Sequence, residues 1–202
     1  MKKISILTAI ALLFSASITY AQILKKDVLL GGTLGYSTGT LYNSGTTSNV
    51  NISPRLGYAI GNNSVLSARF GYAFFKSKGS TNLNIYKTNS ITAGLSWKKF
   101  ISVKEKFGLY TDLYGTLGKT YTRQESGPPT VVQKTTTTAY TGGLNPGVYY
   151  LPLRWLILSV DAGGLNYTYN RDNSGSHTSS FVVNFLSSFT FGVDFILTKG
   201  KG

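Results

Sequence analysis

The chain has 202 residues, with 20 Lys+Arg against 7 Asp+Glu, a formal charge of +13 and no cysteine. Without cysteine there is no disulfide scaffold, no thiolate metal centre and no cysteine-linked lipid anchor, and passage through an oxidising compartment meets no obstacle. The basic residues are scattered over turns and loops with no recognition motif among them, which argues against nucleic acid as a partner.

The first residues set the address. Met1-Lys2-Lys3 is a basic start, Ile4 to Ile18 is apolar, and Thr19-Tyr20-Ala21 offers a small-x-small site. Residues 1–21 therefore read as a secretory signal peptide cleaved before Gln22, leaving one domain over 22–202. The apolar stretch falls short of the roughly 20 residues that a spanning helix needs. Beyond it, the greasiest run is Leu151 to Val160, which is short and broken by Pro152 and Arg154.

The mature part reads as a succession of strands. The first runs from about Val28 to Ser37. The second, Val50 to Ile60, sets Val50, Ile52, Leu56, Tyr58 and Ile60 on one face and Asn51, Ser53, Arg55 and Gly57 on the other. Gly61-Asn62-Asn63-Ser64 predicts a tight hairpin, after which Leu66, Ala68, Phe70, Tyr72 and Phe74 alternate with smaller or polar residues. A fourth strand is expected over Ile85 to Trp97, a fifth over Phe107 to Gly118, a sixth over Thr138 to Tyr150 and a seventh over Leu156 to Tyr169. In the seventh, Leu158, Val160 and Ala162 share one phase and Leu165, Tyr167 and Tyr169 the other. Gly163-Gly164 stands between them, so either a bulge reconciles the phases or the strand ends there. The eighth, Phe181 to Leu197, has a large apolar residue at every odd position except Ser187, which is a period of two.

Connections alternate in length. Gly61 to Ser64, Lys98 to Lys106 and Leu151 to Trp155 are short or moderate. Thr38 to Asn49, Lys76 to Asn84, Lys119 to Thr137 and Asn170 to Ser179 are polar and mostly longer, and Lys134 to Thr138 beside Gly127-Pro128-Pro129 reads as a mobile loop. Short turns on the inner side and long loops outside are what a transmembrane barrel displays. The expected fold is therefore all-β, an eight-stranded antiparallel up-and-down transmembrane β-barrel with its greasy side outward. An even strand count puts both termini in the periplasm. Only five residues follow Leu197, too few for a peptidoglycan-binding domain. Outer-membrane lipid and lipopolysaccharide then suit the positive charge.

The chain after the signal resembles the family of small eight-stranded outer-membrane β-barrel proteins of Gram-negative bacteria. Thr190-Phe191-Gly192-Val193-Asp194-Phe195-Ile196-Leu197 is similar to the polar-x-Gly-x-x-aromatic-x-hydrophobic insertion signal of such proteins, which implies Thr190, Gly192, Phe195 and Leu197 as the edge read by the barrel assembly machinery. The resemblance implies a fold and an address. It does not bring an activity, because family members range from adhesins to enzymes to plain structural proteins.

Arg55, Arg69, Asp112, Asp161 and Asp194 all fall on the inward parity, which predicts an ionic cluster in the lower half of the lumen, with one acid either protonated or bonded to Tyr110, Tyr114 or Asn145. His177 is the one histidine. With Asp172 and Ser174, Ser176, Ser179 or Ser180 it can be drawn as a Ser-His-Asp set, the basis of an alternative reading as a lipid A-modifying enzyme. Loops, however, are rich in such residues because they turn and hydrate well. Gly31-Gly32-Thr33-Leu34-Gly35 and Thr141-Gly142-Gly143 are followed by no helix and hold no phosphate. One histidine and scattered acids give no metal spacing, and no cofactor is expected. Eight strands enclose a lumen that side chains fill, unlike porins of about 16–18 strands. The expectation is a non-enzymatic barrel with a structural or adhesive role, its loops holding an extracellular ligand by strand addition or none at all. A soluble eight-stranded ligand carrier is the structural rival, with the apolar set facing inward.

Overall fold

The computed structural model describes residues 23–41, 45–79, 84–126, 131–185 and 189–197. The signal-peptide expectation at 1–21 lies outside them, as does Gly127-Pro128-Pro129. Ten strand segments follow one another: β1 (Val28–Leu41), β2 (Gly45–Gly61), β3 (Ser64–Lys78), β4 (Asn84–Lys104), β5 (Phe107–Ser126), β6 (Val131–Leu153), β7 (Leu156–Asp161), β8 (Leu165–Asp172), β9 (His177–Val183) and β10 (Thr190–Ile196). Each pairs antiparallel with its sequence neighbour through β6, and β7 and β8 both pair with β6. β10 closes the circle by pairing with β7 on one side and β1 on the other. The ten segments thus make eight staves of a closed up-and-down barrel.

Alternation is inverted relative to a soluble protein. Leu30, Leu56, Phe70, Ile91, Leu95, Leu113, Leu117, Leu158 and Phe191 are exposed on the outer wall, whereas Ser67, Ser96, Asp112, Ser159 and Asp194 are buried inside. Water would penalise such a surface by roughly 25 cal/mol per Å² of apolar area, and hydrocarbon does not. The barrel is therefore transmembrane, and the soluble-carrier arrangement is overturned by the same alternation. Tyr58, Trp97, Tyr150 and Trp155 ring the outer wall near the short turns, where amphipathic rings suit the lipid–water boundary. Trp155 stacks on Phe195 at 6.0 Å, and the Trp97 indole N–H donates to Ser64 Oγ at 2.7 Å.

Several boundaries move. β5 and β6 remain paired out to Ser126 opposite Val131, so Lys134 to Thr138 is strand, not mobile loop. Beyond the bilayer both faces of a ribbon meet water, so no apolar alternation marks it; Thr-rich segments still favour the ladder. The same extension shortens the last outer connection, because Asn170 to Asp172 and His177 to Ser179 are paired. At the inner end, β4 runs on to Lys104, beyond the expected stop at Trp97. The Gly61–Ser64 hairpin forms as expected, with Asn63 at a φ of 57° that asparagine tolerates.

Two staves are broken. Along the seventh, Asp161 pairs with Gly147 and Leu165 with Leu144, so residues 162–164 stand opposite only two residues of β6. One unpaired residue is the signature of a bulge, and it turns Leu158 and Leu165 to the same outer wall despite their opposite parity. Gly163 takes a φ of +78° there, a region closed to most side chains. The eighth stave, expected to be continuous, divides into β9 and β10. β9 pairs only with β8, and among the described residues no ladder joins it to β1, whose pairing with β10 ends at Thr33.

Candidate functional site

The lumen is built in two storeys. At the end that carries the short turns, Leu29, Ala59, Val65, Phe100, Tyr110, Tyr149, Leu151, Ile157 and Ile196 form an apolar floor. The Phe100 and Tyr149 rings meet edge to face at 5.1 Å. The segment ahead of β1 lies against this end: Asn63 N–H donates to Ile23 O at 2.9 Å and Lys26 N–H to Ala59 O at 2.9 Å. Ile23 is buried with the floor.

Charge sits above the floor. Asp194 on β10 and Arg55 on β2 flank Gly31 of β1, each directly opposite it in register. Across this gap Arg55 Nη2 donates to Asp194 Oδ1 at 2.6 Å and Nε to the same oxygen at 3.3 Å. The guanidinium fork suits a carboxylate in this way. Arg55 and Arg69 are also directly opposite each other, a repulsive pairing. Asp112 Oδ2 stands between them, 3.8 Å from Arg55 Nη1 and 3.4 Å from Arg69 Nη1. The Arg69 guanidinium in turn lies over the Tyr114 ring at 4.8 Å.

A further cation belongs to the cluster. Lys98, only 4% exposed, brings its Nζ to 3.9 Å from Asp194 Oδ2 and over the Tyr110 ring at 4.3 Å. It is also the cross-strand neighbour of Asp112. Ending the fourth strand at Trp97 conceals it, although parity alone, with Leu95 and Trp97 outward, sends Ser96, Lys98 and Phe100 inward. Asp161 stands apart from the arginines and accepts a hydrogen bond from the Tyr110 hydroxyl at 2.5 Å. Tyr114 bonds Asn166, while the oxygen of Asn145, opposite Asp112 in register, has no hydrogen-bond partner among the described residues.

Gly31 is the position on which this geometry turns. A Cβ there would collide with Asp194 Oδ1 and with the Val193 carbonyl oxygen. Gly31→Ala is therefore expected to displace Asp194 from Arg55 and to cost about 1–3 kcal/mol, as overpacking does. The check is the urea midpoint of the vesicle-inserted protein; an unchanged midpoint would mean that the bridge has slack.

Among the described residues no hydrogen bond or ion pair joins the His177 ring to Asp172 or to a serine. His177 begins β9 on the exposed surface, with its ring 6.2 Å from that of Tyr169. Asp172 is committed to its own turn, where Oδ1 accepts from the Ser174 hydroxyl at 2.7 Å and from the backbone N–H groups of Ser174 and Ser176. Those bonds, the Ser174 hydroxyl foremost, hold its carboxyl below the usual range. At the other end of the chain, Thr190 and Gly192 share the inward parity of Asp194, with Thr190 exposed and Gly192 buried, while Phe195 and Leu197 are exposed at the lower rim. Leu197 N–H donates to Val28 O at 2.8 Å, continuing the seam by which β10 meets β1.

No protein-family model and no curated protein matches the sequence. Solved structures do. A major outer membrane protein from Thermus thermophilus is similar at 12% identity and a TM-score of 0.47, over 84% of this chain and 98% of that one. Ail, the attachment invasion locus protein of Yersinia pestis, is 16% identical with a TM-score of 0.38, over 86% and 99%. Neisserial surface protein A is 16% identical with a TM-score of 0.42, over 85% and 97%. By description the first is an outer-membrane protein and the third a surface protein. At these identities and scores the chemistry rests on this chain's own residues.

Proposed function

We propose that this chain is a non-enzymatic outer-membrane barrel of a Gram-negative bacterium, with a closed lumen and a structural or adhesive role carried by the strand extensions outside. The observation that carries the reading is the lumen itself. An apolar floor lies beneath a crosslinked layer of Arg55, Arg69, Lys98, Asp112 and Asp194. Eight staves leave little more than side-chain room to begin with. A charge network in that space joins opposite walls and stiffens the barrel, and it offers no passage to solute.

Thr190, Gly192, Phe195 and Leu197 serve in this reading as the edge presented to the barrel assembly machinery, and both termini lie in the periplasm. Among the described residues no hydrogen bond or ion pair joins Asp172 to the His177 ring, and the bonds within the Asp172 turn aim that carboxylate at its own loop, which weighs against the lipid A-modifying alternative. Reconstitution into planar bilayers tests the proposal. The wild-type protein is expected to insert without sustained conductance steps, and steady steps in the range of an aqueous pore would contradict the closed lumen.

A further inference from the structure

Four cations share one line on the outer wall. Lys76 of β3 is directly opposite Lys87 of β4, Lys87 is opposite Arg123 of β5, and Arg123 is opposite Lys134 of β6. Cross-strand partners share a face, and the parity of Tyr72, Ile91, Tyr121 and Tyr140 makes that face the outer one. Like charges placed directly opposite destabilise a sheet, so an uninterrupted row of them points to an anion from elsewhere.

The chain itself cannot supply enough. Glu125 pairs with Arg123 at 2.7 Å. The remaining acids are spent in other places: Asp27 and Glu105 at the periplasmic end, Asp112, Asp161 and Asp194 in the lumen, and Asp172 in its turn. Among the described residues no carboxylate forms an ion pair with Lys76, Lys87 or Lys134.

We propose that this row is a binding stripe for the phosphorylated glycolipid of the outer leaflet, an inference that rests on the outer-membrane reading. Directly below it on the same staves, Tyr72, Ile91 and Tyr121 are exposed and apolar, a surface for acyl chains beneath the headgroup. Lys119, four residues below Arg123 on the same face, is long enough to snorkel upward and join the row. Strands stand about 4.7–4.9 Å apart, so the row is about 15 Å long. Staves tilted by roughly 35–45° make it climb obliquely across the headgroup layer. An oblique row meets anions at several heights. That suits a saccharide lipid with phosphates on successive sugars better than a phospholipid whose phosphates share one level.

The test uses the full barrel inserted into phosphatidylcholine vesicles, alone or doped with lipopolysaccharide, dephosphorylated lipopolysaccharide or phosphatidylglycerol. Lys76→Gln, Lys87→Gln and Lys134→Gln are combined, leaving the Arg123–Glu125 pair intact. Lipopolysaccharide is expected to raise the urea midpoint of the wild type but not of the variant, with affinity for it lowered roughly a hundredfold by loss of three cations at the membrane surface. In phosphatidylcholine alone the variant is expected to be at least as stable as the wild type, because repulsion has been removed. Equal lipopolysaccharide response in the two proteins, or an equal response of the wild type to dephosphorylated lipopolysaccharide or to phosphatidylglycerol, would overturn the stripe while leaving the barrel reading untouched. Failure of the wild type to insert at all would overturn the membrane reading, and the stripe with it.

Discussion

Replacing Arg55 with alanine is expected to lower the unfolding free energy by about 3–5 kcal/mol, the usual penalty for leaving a buried charge without its partner. Arg55 is the hub: it reaches Asp194 through two nitrogens and Asp112 through a third. Without it, Lys98 at 3.9 Å and Arg69 at 3.4 Å are left to hold the two carboxylates. Asp112 Oδ1 already lacks a hydrogen-bond donor among the described residues, so the site has little reserve. Combining Arg55→Met with Asp194→Leu should recover most of the loss, since replacing a whole buried pair by apolar side chains is often nearly neutral. A double-mutant cycle, read by urea unfolding with lipid vesicles, separates the cases. Additive losses would mean that Arg55 and Asp194 do not act together.

The second large effect lies on the outer face of the same wall. Phe191, 69% exposed and four residues along β10 from the Trp155–Phe195 stack, is expected to face the middle of the bilayer. Phe191→Arg is expected to cost about 2–4 kcal/mol, whereas Tyr36→Arg near the outer boundary should cost about 0–1 kcal/mol. The same vesicle unfolding measurement checks both. Equal, small losses at the two positions would mean that Phe191 lies in water.

Much of the barrel is legible in the sequence because hydrocarbon imposes alternation. Where lipid touches the wall, one face must be apolar, so Leu30, Leu95 and Leu113 announce both the strand and its orientation. The phase change from Ala162 to Leu165 announces an interruption for the same reason, a bulge or a strand end, and the register decides for the bulge. Where that constraint lapses, sequence reasoning loses its footing. Lys134 to Thr138 is polar on both faces because both are wet, and such a run reads as loop. The interruption between β9 and β10 is invisible because Val183 and Phe191 keep the same odd parity across it. Lys98 hides for a local reason: adjacent lysines after Trp97 look like a turn, and the parity that sends Lys98 inward counts only once β4 is carried past Trp97. The cross-strand opposition of Lys76, Lys87, Arg123 and Lys134 depends on register, which no single strand encodes.

The inside-out alternation is the foundation of the whole account, and β4 offers the cleanest place to test it. Spin labels placed singly at residues 91 to 97 of the vesicle-inserted protein can be probed with oxygen, which concentrates in lipid, and with a water-soluble nickel chelate. Ile91, Ala93, Leu95 and Trp97 are expected to report oxygen access, and Thr92, Gly94 and Ser96 protection from it, in strict alternation. Nickel access at the odd positions with oxygen access at the even ones would contradict the account.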